Sequence, residues 1–166
     1  MKPTKIWTLV GWAVSATTAG YLIPKLIVAG GGPIPVSPWN IIATLPAIGI
    51  LLLLMAIPLI RYRRALAALK KDTALPRPKR INPFYAVRLV VLSKAIAISG
   101  AIFFGWHLGV VWLQVTSPVI PTSTGQNALG LAGAALMLVL AVVVERLCRV
   151  VDDLPPTSGN SEMSAA

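Results

Sequence analysis

The chain has 166 residues, 56% of them hydrophobic and 12% charged, with a formal net charge of +10. A soluble domain averages about a quarter charged residues, so this deficit argues against a soluble bundle and for lipid as the solvent. The basic residues lie between apolar runs, which points away from nucleic acid and toward anionic lipid head groups.

The single cysteine, Cys148, excludes an intramolecular disulfide, and no Cys/His spacing suits a metal. The pattern predicts an all-α polytopic membrane protein, a bundle of four transmembrane helices with a short amphipathic cytoplasmic segment. Residues 1–150 make up the transmembrane domain, and 151–166 read as a disordered cytoplasmic tail.

The first apolar run is 6–28, with Trp7 and Tyr21 as interfacial anchors. About 20 residues cross the hydrocarbon. Lys2 and Lys5 precede this run. It is long for a signal-peptide core and lacks a clean small-x-small cleavage site, so it reads as an uncleaved helix. The Gly/Pro-rich stretch 30–38 is a loop. The second run, 39–60, contains Pro46 and Pro58. Both are read as static kinks.

Residues 61–71 follow, with Tyr62, Ala65, Leu66 and Leu69 on one helical face. This segment reads as a helix end that turns amphipathic and lies on the membrane surface. A Pro-rich basic loop then leads to the third run, 84–115, and an uncharged loop to the fourth, 127–146. The runs pair in chain order as two hairpins.

Lys and Arg near helix ends set orientation. The connection between the second and third runs carries Arg61, Arg63, Arg64, Lys70, Lys71, Arg77, Lys79 and Arg80. Arg146 and Arg149 follow the fourth run, and the other two connections offer only Lys25. The rule therefore places both termini and the middle connection in the cytoplasm, with the protein in the cell membrane. The eight basic residues of that connection are the expected contacts for anionic lipid.

Ser93, Ala97, Ala101, Gly105 and Gly109 recur every four residues along the third run. A stripe of small side chains lets helices approach closely in lipid. It is read as packing within the monomer, against the fourth helix and the first, rather than as a homodimer seam. Gly11, Ser15 and Ala19 look like a shorter version on the first helix.

Lys94 and Glu145 sit near the cytoplasmic ends of antiparallel neighbours, so they are expected to pair, with Arg88 or Arg146 completing a small network. A structural pair with snorkelling of Lys94 is preferred to a proton or substrate site. His107 lies thirteen residues from Lys94, roughly 20 Å along a helix, and reads as a lone structural histidine near the far interface. Asp152 and Asp153 lack a partner motif, and Cys148 reads as interfacial packing rather than an acylation site. No phosphate-binding loop, HExxH or nucleophile elbow is present.

The stretch Arg80-Ile-Asn-Pro-Phe-Tyr-Ala-Val-Arg88, then Leu92-Ser-Lys-Ala95, Gly100, Gly105 and Gly109, and finally Glu145-Arg-Leu-Cys-Arg149 carry a resemblance. Together they resemble an actinobacterial family of unknown function. Its members are small four-helix membrane proteins, often encoded beside folate-biosynthesis genes. The resemblance implies no established activity and marks Arg88, Lys94, Glu145, Arg146 and Arg149 as positions to watch.

The resulting expectation is a non-enzymatic accessory or scaffold component with a basic cytoplasmic surface and no cofactor. Its partners would be the bilayer, anionic head groups, and a membrane protein or further copies of itself. The alternative is a small transporter or channel subunit acting as an oligomer.

Overall fold

Long apolar runs without charges hold their backbone hydrogen bonds internally most cheaply as helices. The computed structural model, which describes residues 5–71 and 82–152, has four of them. These are α1 (Ile6–Ala29), α2 (Trp39–Lys71), α3 (Pro83–Val115) and α4 (Thr124–Asp152). All four are long and apolar enough to cross a membrane, which points to a multi-pass membrane protein. Arg77, Lys79 and Arg80, expected to contact anionic lipid, and residues 153–166 of the expected tail lie outside the described residues.

Local chemistry explains the ends. α1 closes where the Gly31 and Gly32 N–H groups donate to the Val28 and Ile27 carbonyls. Gly31 takes a φ of +81° there, a conformation only glycine adopts freely. Asn82 caps α3: its side-chain oxygen accepts from the Phe84 N–H at 3.0 Å, and Pro83 supplies a preset first position. α2 runs unbroken through residues 61–71, so the amphipathic stretch is its last turns. The guanidinium of Arg63 still reaches the Leu147 carbonyl of α4 at 3.4 Å.

The helices pack in the order α1, α3, α4, α2, with a small contact between α2 and α3. The expected first hairpin is therefore corrected: α1 and α2 are consecutive but do not pack on each other. Close backbone approach outweighs chain proximity here. α1 can lie against the glycines of α3, and α2 seats Pro46 on Gly133 of α4. α1 and α3 run parallel, as Gly105 meets Ala13 and Gly109 meets Thr17. α3 and α4 are antiparallel, with Gly100 against Leu138 and Gly130 against His107.

One end of the bundle gathers the start of α1, the end of α2, the start of α3 and the end of α4; it is called the basic end. The other, the looped end, carries the α1–α2 and α3–α4 connections. The main core lies toward the basic end, where Leu52, Ala56 and Leu59 meet Leu89, Val90, Ala97, Ala141 and Val144. A smaller cluster of Leu45, Ala134 and Met137 continues it toward the looped end.

Candidate functional site

The small stripe of α3 does not face one neighbour. A step of four residues turns about 40° around a helix, so five positions wind roughly 160°. Ser93, Ala97 and Ala101 are wholly buried. Further along, Gly105 and Gly109 face α1: a Cβ on either would meet the Ala13 or Thr17 carbonyl. The α1 partners are not those read from the sequence. Gly11 has open space around it, and Ser15 is exposed with its hydroxyl bonded to the Gly11 carbonyl of its own helix. Ala13, Ala16, Thr17 and Gly20 form the face that meets α3, where Gly105 and Gly109 let the two backbones approach.

At the basic end, Glu145 is buried and Lys94 half-buried, while Arg88 and Arg146 are exposed. The antiparallel register that puts Gly100 on Leu138 carries Lys94 to the level of Val144 and Glu145. Neither Lys94 nor Glu145 is without a partner. Arg61 and Arg64 are exposed, Arg63 is half-buried, and Lys70 and Lys71 lie in the last turn of α2.

The looped end holds a cluster that the sequence reading missed. His107 is 1% exposed and sits between α3, α4 and the α1–α2 loop. Its Nδ1 lies 2.8 Å from the Phe103 carbonyl, which only accepts, so Nδ1 carries the proton. In the neutral ring of that tautomer Nε2 accepts, and the Ser37 hydroxyl, 3.1 Å away, is its donor. The Ser37 N–H donates to Asn127 Oδ1 at 3.1 Å, and Gln126 Nε2 donates to the Ser37 carbonyl at 2.8 Å. Asn127 Nδ2 adds a longer bond of 3.4 Å to the Pro35 carbonyl.

Every polar group of Ser37 is thus engaged. A loop returning toward hydrocarbon must satisfy its backbone groups on protein. Gly130 makes the room, since a Cβ there would stand 2.5 Å from the imidazole. Beyond it, the buried Gln114 amide donates to Ser123 Oγ at 3.3 Å. His107, Gln114 and Asn127 are polar residues inside apolar helices. That is the signal by which a search for buried polar groups would have found them.

The two polar ends are separated by an apolar middle. Residues 26–60 and 95–144 contain no Asp, Glu, Lys or Arg. Among the described residues, no cluster of three His, Cys, Asp or Glu side chains could hold a metal ion.

Residues 9–152 match the family described as protein of unknown function (DUF3180). The chain belongs to this family. No curated protein and no solved structure matches it. The DUF3180 span takes in α1 from Leu9 onward, the other three helices, the Lys94–Glu145 level and the Ser37–His107 cluster, so both polar ends lie within the family's domain.

Proposed function

We propose that this DUF3180 protein is a non-enzymatic accessory or scaffold component of the cell membrane, with both termini in the cytoplasm. One observation carries the reading: among the described residues, every formal charge except Lys25 lies toward the basic end. Positive charge retained on one side is what the topology rule ascribes to the cytoplasmic face. A surface of that sign attracts anionic head groups and acidic partner surfaces.

A conduit through one copy has less support. Ala97, Ala101, Ala134, Met137 and Ala141 fill the space between the polar ends with buried apolar side chains. A transporter or channel subunit would need further copies to supply a polar path. The folate-gene neighbourhood implied by the resemblance makes a folate-pathway enzyme one partner to look for, by analogy alone.

The deciding experiment is copurification in mild detergent, with lysine crosslinking read by mass spectrometry. A reproducible partner protein linked to Lys70, Lys71 or Lys79 is the expected result. Recovery of a homo-oligomer alone, with ion or solute flux in liposomes, would overturn the accessory reading. Orientation is tested by labelling a Ser123→Cys variant with a membrane-impermeant maleimide. Labelling from outside intact cells is expected, and labelling only after lysis would invert the topology.

A further inference from the structure

Where α1 and α3 draw together on Gly20, Gly105 and Gly109, a groove of about 480 Å³ opens beside the seam. That volume falls within the range of about 300–1,000 Å³ typical of ligand sites. Val14, Thr18 and Leu22 line it from α1, and Leu108 and Trp112 from α3. From Val14 to Leu22 the α1 wall rises roughly 12 Å, so the groove runs along the helices. Val14, Leu22 and Trp112 are all substantially exposed, so the groove opens sideways toward the surroundings of the bundle.

The wall is apolar in effect. Thr17 and Thr18 both line it, yet their hydroxyls donate back to the Ala13 and Val14 carbonyls at 2.8 and 3.0 Å. A solute needing hydrogen bonds finds few there, whereas a hydrocarbon chain loses nothing. The looped-end rim differs. Tyr21 lines the groove, and the Lys25 Nζ leans over its ring, 5.3 Å from the centroid. Lys25 carries the only formal charge in residues 6–60. One turn separates it from Tyr21, about 6 Å of rise, placing a lone cation where the groove reaches the interface.

We propose that this groove holds one acyl chain of an anionic phospholipid from the leaflet at the looped end, with the lipid phosphate against Lys25. The proposal rests on the membrane reading above. Charge complementarity selects the occupant. A zwitterionic lipid of the same chains fills the groove equally well but gains less from a single cation, because its own ammonium offsets the phosphate.

The test uses the full chain in nanodiscs with equal phosphatidylglycerol and phosphatidylcholine, either lipid carrying a diazirine on one acyl chain. Crosslinks in segments 14–22 and 108–112 are compared between the two lipids. Phosphatidylglycerol should be favoured in these segments by about fivefold, and Lys25→Gln should remove that preference. Thr18→Trp, at an exposed position, should fill the groove and abolish crosslinking there with either lipid. Equal labelling of the groove by the two lipids, or a preference unchanged by Lys25→Gln, would overturn the proposal. Labelling at exposed Leu51 and Leu54 of α2 reports insertion separately. If those positions are labelled and the groove is not, this proposal alone fails. If neither is labelled, the membrane reading fails with it.

Discussion

The Ser37 hydroxyl stands 3.1 Å from His107 Nε2 across a sequence separation of 70 residues. This contact joins the α1–α2 loop to α3 inside the looped end of the bundle, although α1 and α2 do not pack together. Ser37→Ala should leave the imidazole acceptor unsatisfied, at a cost of about 1–3 kcal/mol. Thermal unfolding in detergent should show the loss. Hydrogen exchange should speed up in residues 33–38 while the seam between α1 and α3 stays protected. Unchanged exchange in that loop would show that the bond does not hold it.

The glycines divide sharply by position. Gly105→Leu would drive a side chain into the Ala13 carbonyl, and Gly130→Val into the imidazole of His107. Overpacking costs about 1–3 kcal/mol and sometimes more, so both variants should give little folded protein by fluorescence-detected size exclusion. Gly11→Ala meets nothing and should be neutral, or stabilising by up to about 1 kcal/mol through helix propensity. Equal behaviour of Gly11 and Gly105 variants would contradict this arrangement of α1 on α3.

Lys94 and Glu145 share a level on antiparallel helices, and Glu145 is buried. We predict that they pair. Lys94→Glu or Glu145→Lys alone should then destabilise by about 3–5 kcal/mol, the range for breaking a buried pair. The double reversal should recover most of the loss in a thermal-shift measurement. A double variant no better than the worse single one would rule out direct pairing.

The basic connection should hold anionic lipid. Neutralising Lys70, Lys71, Arg77 and Lys79 together should weaken binding to anionic vesicles, at about 1 kcal/mol per charge in low salt. The difference should shrink as salt rises. Arg63 is left intact because it also bonds the Leu147 carbonyl. Unchanged vesicle binding would mean that these charges serve topology alone.

Helix number and approximate bounds were legible because hydropathy is a local property. A run such as 84–115 announces its span whatever lies beside it, whereas 39–60 marks only the apolar part of a helix that continues to Lys71. The end of the first helix was legible because the Gly/Pro-rich stretch 30–38 acts locally, as Gly31 shows, whereas the Asn82 cap of α3 emerged only in the structure. The partners of each helix were less legible. Gly11 and Ser15 have the right spacing on α1 but lie on the wrong face, and periodicity cannot say which face a neighbour will take. His107 looked isolated because its partners, Ser37 and the α4 residues beside it, are distant in sequence.

The sequence by itself determined that the chain forms long apolar helices and that its charge gathers at one end, since both follow from composition along the chain. It also marked α3 as the helix able to accept close neighbours, because small side chains permit that wherever they occur. The small stripe already pointed to α1 and α4 as the neighbours of α3, and both pack there. Only the tertiary structure decided that α1 does not pack on α2, which face of α1 meets α3, and that a loop serine completes the hydrogen bonding of a buried histidine. The physical reason is close packing. Which backbones meet depends on how all four surfaces fit at once, and that fit is not written in any one segment.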